Sequence, residues 1–296
     1  MWLVFLELTA LRCLVFQFNF DYHVTLLNVL WALGWSMTSL SVLIYLPLRA
    51  IAILSVAVMG GHNLLDGNQS ATPLWSILHR PNFILNVPGH AVFVAYPLVP
   101  WIGVMAAGFS IGRIYTWTEQ RRRAVLLRAG LSASALFLIL RAINVYGDPV
   151  PWSTQASTPF TALSFLNTNK YPPSLLFLLM TLGPALLFLW AVDGRTPPVL
   201  RPALTFGRVP LFFFMFHIPF LHLIATAVSY ARYSQVHWMF ESPTIAQLPF
   251  TFPPGWGLPL AEVYLVWICV ILAMYPLCRW FAAIKGRHPA GWLSYV

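Results

Sequence analysis

Long apolar runs alternate with short polar breaks along most of this chain, and run length is the informative feature. Crossing ~30 Å of hydrocarbon takes ~20 helical residues. About eight runs approach that length, near 2–20, 24–46, 48–65, 91–112, 124–146, 173–192, 208–230 and 258–284. The pattern predicts an all-α, polytopic membrane bundle of about eight transmembrane helices, with 1–296 as a single domain. Only Leu46-Pro47-Leu48-Arg49 separates the second and third runs, which predicts a tight helical hairpin. Pro97, Pro100, Pro184, Pro219 and Pro276 lie inside runs without vetoing them, since neighbouring helices can satisfy the freed carbonyls.

Composition agrees with lipid as the main solvent. Hydrophobic residues make up 59% of the chain and charged ones 8%, against roughly 25% charged in soluble proteins. Cys13, Cys269 and Cys278 all sit in or beside apolar runs, so they give no disulfide framework.

Charge then orients the bundle. Alternating sides through eight spans collects Arg49, Arg113, Arg121, Arg122, Arg123, Arg128, Arg195, Arg201, Arg208, Arg279, Lys285 and Arg287 on one side. Arg80, Lys170 and Arg232 fall on the other. The positive-inside rule makes the first side cytoplasmic, and an even span count puts both termini there. The net charge of +9 is then a collar facing anionic lipid or an anionic cytosolic ligand. No nucleic-acid partner is expected, because the basic residues are spread over loops without a binding fold.

Unusual polar residues gather on the opposite side. Asp21-Tyr22-His23 fills one turn, and Gly61-His62-Asn63-Leu64-Leu65-Asp66-Gly67 closes the third run. Arg141, Asn144, Tyr146 and Asp148 end the fifth, Lys170 and Tyr171 open the sixth, and Glu262 lies near the last. Polar groups at membrane depth are costly and usually face a bundle interior or watery cavity. Converging from several runs, they predict a polar cavity open to the non-cytoplasmic side. Within it, Pro172-Pro173-Ser174 ahead of Leu175 reads as a helix start, since proline suits the first helical turn.

One further candidate lies deep in the seventh run. From Arg208 to His217 is about 13–14 Å of helix rise, which places His217 near the bilayer midplane beside Pro219. There it is a proton shuttle or general base, or a histidine bonded to a neighbouring carbonyl; spacing alone leaves both readings open. Glu7 and Arg12 read as structural counter-charges. No G-x-S-x-G, Walker-type or H-E-x-x-H motif is present, the cysteine and histidine spacing makes no zinc site, and no metal is expected.

The chain resembles the bacterial membrane proteins grouped as DUF1624, which are similar to the catalytic domain of heparan-alpha-glucosaminide N-acetyltransferase. The resemblance covers nearly the whole chain. It is carried by Phe20-Asp21-Tyr22-His23, Gly61-His62-Asn63-Leu64-Leu65-Asp66-Gly67 and Asn144-Val145-Tyr146-Gly147-Asp148-Pro149. It is also carried by Leu166-Asn167 through Lys170-Tyr171-Pro172-Pro173-Ser174, and by Phe206-Gly207-Arg208-Val209-Pro210 with His217.

The resemblance implies a membrane-embedded acyltransferase of the bacterial inner membrane. Cytosolic acetyl-CoA would donate an acetyl group to a glycan or amino-sugar acceptor on the far side. Arg113 and Arg208 would hold the CoA phosphates, and His217, His62 or His23 would deprotonate the acceptor. Asp21, Asn63, Asp66, Arg141, Asn144, Asp148, Lys170 and Tyr171 would line the acceptor pocket, with Arg141, Asn144 or Lys170 steadying the oxyanion. Related enzymes can be dimeric, which leaves a homodimer open. Family members carry a further N-terminal portion that holds one or two spans and the family's catalytic histidine. The chain is therefore expected to be a fragment, a shortened and inactive member, or one in which His23, His62 or His217 has taken over the catalytic role. A transporter or flippase for a sugar or lipid-linked substrate is the alternative, because broken helices and midplane polar groups are transporter traits too.

Overall fold

A computed structural model of the protein describes residues 1–15, 20, 22–195, 197–241 and 253–287. The N-terminal run gives α1 (Trp2–Leu6), a π-helical stretch Glu7–Leu11 and α2 (Arg12–Val15). Strand β1 (Val24–Leu27) precedes α3 (Val29–Leu43) and α4 (Leu48–Gly61), which tightens into a 3₁₀ turn His62–Leu65. Next come α5 (Pro73–Leu78), strands β2 (Asn82–Val87) and β3 (His90–Val94), α6 (Leu98–Gly112) and α7 (Glu119–Ile143). The chain continues through α8 (Thr158–Leu166), α9 (Leu175–Val192), α10 (Arg201–Arg208), α11 (Pro210–Tyr233) and α12 (Leu260–Arg287).

Six helical segments among the described residues are long and apolar enough to cross a membrane: Leu48–Leu65, Leu98–Thr116, Glu119–Ile143, Leu175–Val192, Pro210–Tyr233 and Leu260–Arg287. Few of their residues are buried inside the protein, and Ile53, Val56, Leu265 and Leu272 are well exposed. An apolar face of that extent belongs against lipid. Among the described residues, the expected runs 2–20 and 24–46 are not continuous α-helices. The first is an interrupted helical stretch, and the second is a strand followed by the 15-residue α3. Run 91–112 likewise divides into β3 and α6. The helical bundle thus carries a three-stranded sheet of order β1-β3-β2, which the all-α expectation lacks. Gly89, at φ +81°, turns the chain between β2 and β3, a backbone conformation that glycine adopts at no steric cost.

The residues fall into two compact units, Met1–Leu8 with Thr25–Arg195, and Thr9–Val24 with Thr196–Val296. In the first, Val4, Leu27, Trp31, Ala32, Val94, Tyr96 and Leu98 form a buried cluster that joins helices to sheet. Glu7 is buried and takes the backbone N–H of Leu30 at 2.8 Å, so its carboxylate sits at the positive end of α3. Helices α7 and α9 run close together because each carries a glycine where the other approaches. A Cβ on Gly183 would lie 2.9 Å from the Ser134 backbone nitrogen, and one on Gly130 would lie 2.8 Å from Leu187 Cγ. In the second unit, Val209 and Phe212 pack against Val270, Met274, Cys278 and Phe281. The Phe212 and Phe281 rings stack at 4.4 Å.

Candidate functional site

The C-terminal end of α4 positions the most unusual polar group of the first unit. After Gly60-Gly61 the helix narrows to 3₁₀ geometry, which turns His62 and Asn63 inward and leaves Asp66 just beyond. Asn63 is the joint. Its Nδ2 donates to Asp66 Oδ2 at 2.8 Å, and its Oδ1 accepts the N–H of Leu175 at 2.8 Å. Leu175 is the first residue of α9, so that N–H has no partner within its own helix. One side chain therefore ties the end of α4 to the start of α9.

Asp66 is held from the other side by His79, which follows α5, with Nε2 and Oδ1 2.8 Å apart. The imidazoles of His62 and His79 meet edge to face with centroids 5.9 Å apart. Burial alone would raise the Asp66 carboxyl. Hydrogen bonds from His79 and Asn63, with the positive influence of both imidazoles, outweigh it and hold the group below its ordinary 3.8. Neither ring nitrogen of His62 and no partner for His79 Nδ1 figures in a hydrogen bond among the described residues.

A second set of polar residues shapes the loop above α9. Asp148 accepts from the N–H of Val150 and the N–H of Asn169, and from Ser174 Oγ at 2.7 Å. Ser174 in turn accepts the N–H of Phe177 at 3.0 Å, so serine is the N-cap and both prolines stand before the helix instead of in its first turn. Arg141 is 1% exposed, and its donors reach the carbonyls of Val150, Ser164, Phe165 and Asn167 at 2.6–3.2 Å. Asn144 ends α7 in the left-handed conformation and exchanges two hydrogen bonds with the Trp152 backbone.

Between these parts lies a cavity of about 300 Å³ lined by Asn63, Asp66, Asn68, Gln69, His79, Arg80, Pro81, Pro149, Tyr171 and Pro172. The Tyr171 hydroxyl lies 3.4 Å from that of Tyr96, and Lys170 Nζ sits 5.2 Å from the Tyr171 ring centroid. The hydrogen bond with Tyr96 and the neighbouring Lys170 push the Tyr171 phenol below its ordinary value against the effect of burial.

The sequence-predicted residues therefore separate by role. Asn63, Asp66 and Tyr171 line the cavity, while His62 lies buried beside Asp66 and Lys170 flanks Tyr171. Arg141 and Asn144 spend their polar atoms on loop backbone, and Asp148 on loop backbone and the Ser174 hydroxyl. Arg113 is exposed at the opposite end of the α4–α6 pair and lines a cleft of about 670 Å³ with Ile44, Leu48 and Thr116. Nearby, Arg122 and Arg123 bond Asp193. His23, Arg208 and His217 belong to the other unit, and Asp21 lies outside the described residues. His217 Nδ1 is 2.9 Å from the Phe213 carbonyl one turn back, and its ring stacks on Phe213.

Sequence reasoning missed His79, Gln69 and the cavity role of Arg80. Thirteen residues separate His79 from Asp66, so no helical or strand period links them; only the closed loop does. Searches against protein-family models, curated proteins and solved structures find no match to this chain.

Proposed function

We propose that the protein is a membrane-embedded acyltransferase. In this reading the cavity beside Asp66 and His79 takes the acceptor, a sugar hydroxyl or amine, and the arginine-rich end near Arg113 takes an acyl-CoA donor. The observation that carries the proposal is the Asp66–His79 pair at 2.8 Å lining a polar cavity at a helix end. A carboxylate that accepts the Nε2–H of an imidazole fixes its tautomer and leaves Nδ1 with a lone pair, the arrangement a general base needs.

The chemistry then follows. The acceptor's oxygen or nitrogen forms a bond to the thioester carbonyl carbon while His79 takes its proton. Collapse of the tetrahedral intermediate breaks the carbon–sulfur bond, and the departing thiolate receives the proton. Tyr171 and Arg80, both lining the cavity, are the donors placed to stabilise the oxyanion. With the arginine-rich end cytoplasmic, as the positive-inside rule requires, the acceptor cavity faces away from the cytoplasm of a bacterial inner membrane.

Reconstitution in proteoliposomes with labelled acetyl-CoA and an amino-sugar acceptor tests this. Transfer that needs His79 supports it. Absence of transfer together with substrate counterflow that ignores acetyl-CoA replaces it with a transporter.

A further inference from the structure

We infer that His62, Asp66 and His79 form a binding site for a divalent transition-metal ion of the zinc class. One donor atom from each residue lies within 4.8 Å of the other two. Ligands around a tetrahedral zinc at ~2.0–2.2 Å stand about 3.3 Å apart, so closure asks for at most roughly 1.5 Å of movement by side-chain rotation. Two imidazoles and one carboxylate suit borderline ions such as zinc, whereas calcium and magnesium prefer all-oxygen shells.

The second, independent observation is His62 itself. It is 2% exposed, yet neither ring nitrogen has a hydrogen-bond partner among the described residues. A buried polar group without a partner is costly, and a cation held by its lone pair removes that cost. The surroundings of Asp66 are also those of a metal ligand. Asn63 holds its second oxygen at 2.8 Å and is itself anchored by the Leu175 N–H, the outer support that fixes a ligating carboxylate. Three protein ligands leave coordination positions vacant, and Asp66 and His79 both line the cavity. A water or an acceptor oxygen can complete the shell from there, and Arg80 in the cavity wall favours an anionic one.

This inference does not rest on acyl transfer. An ion held by His79 withdraws that imidazole from proton transfer, so bound zinc suppresses transfer by that route.

The test uses the full chain purified in nanodiscs, stripped with chelator and titrated with zinc by calorimetry, and with cobalt(II) by visible absorption. The expected result is one zinc per chain with Kd of about 1 µM or tighter, and cobalt bands of a low-symmetry nitrogen and oxygen site. His62→Ala and Asp66→Asn should each weaken binding at least about 100-fold, Asn63→Ala about 10–100-fold, and His217→Ala not at all. No stoichiometric zinc, equal binding by all variants, or preference for calcium overturns it. If His62→Ala does not fold, the wild-type cobalt spectrum decides: absent visible bands sink the site. Failure of zinc binding leaves acetyl transfer untouched, and failure of transfer leaves zinc binding untouched, so the two outcomes are separable.

Discussion

Two histidine environments in this protein differ in what their helices leave undone. His217 lies inside α11, with its ring nitrogen 2.9 Å from the Phe213 carbonyl and its face on the Phe213 ring. His79 lies just past the end of α5, and its partner Asp66 lies just past the end of α4. Within a helix the backbone is already paired, and a polar side chain finds a carbonyl one turn away. At helix ends unpaired backbone groups and irregular loops remain, and side chains from distant segments gather there, as Asn63 does at the Leu175 N–H. Position inside a candidate span singles out His217, whereas helix termini single out His79.

The most damaging way to probe this contrast is to remove the two rings in turn. His79→Ala should lower acetyl transfer by ~10²–10⁴-fold, the usual worth of a positioned general base, while the protein stays folded by size exclusion. Equal loss from His217→Ala would erase the distinction.

Arg141→Met is the next largest test, and it bears on what holds the helix-end site in place. The guanidinium supplies four carbonyl contacts across 150–167. Each carbonyl left unpaired costs about 1–3 kcal/mol, so the variant should lose about 3 kcal/mol or more in a detergent unfolding titration. A residue that binds acceptor would instead raise KM with stability unchanged.

Lower in the order stands the response to acid. The Asp66 carboxyl is held below 3.8 in the folded protein. A depressed folded pKa contributes stability that is fully present above the unfolded value, near pH 4, and is lost as pH falls through the folded one. Wild type should therefore lose an increment of thermal stability below about pH 4 that Asp66→Asn lacks. Parallel acid profiles for the two proteins would show that the carboxylate is not stabilised by its partners.

These particulars also mark how far the sequence could be read. The six long helices follow from run length, because a span must satisfy its own backbone in lipid. The β2–β3 hairpin was hidden because the apolar residues of β3 merge into those of α6, although Pro88-Gly89 carries a turn signal. Gly61 through Gly67 was legible as a polar helix end. Its link to His79 was not, since that bond depends on the path of the loop 66–79. The sequence marks Arg141 and Asn144 as polar residues facing a cavity; that they staple a loop is not legible, because their partners are backbone atoms of a segment with no period.

The smallest expected effect is the sharpest discriminator. His217→Phe keeps an aromatic ring over Phe213 and removes both ring nitrogens, of which Nδ1 meets the Phe213 carbonyl. That carbonyl is a helical one, so losing this extra interaction should cost no more than about 0.5–1.5 kcal/mol. Transfer activity and zinc affinity should stay within about twofold of wild type, which corresponds to less than ~0.5 kcal/mol. If transfer collapses while the unfolding midpoint holds, the midspan imidazole carries the proton. Chemistry at the end of α4 would then be reduced to the bonds that tie α4 to α9.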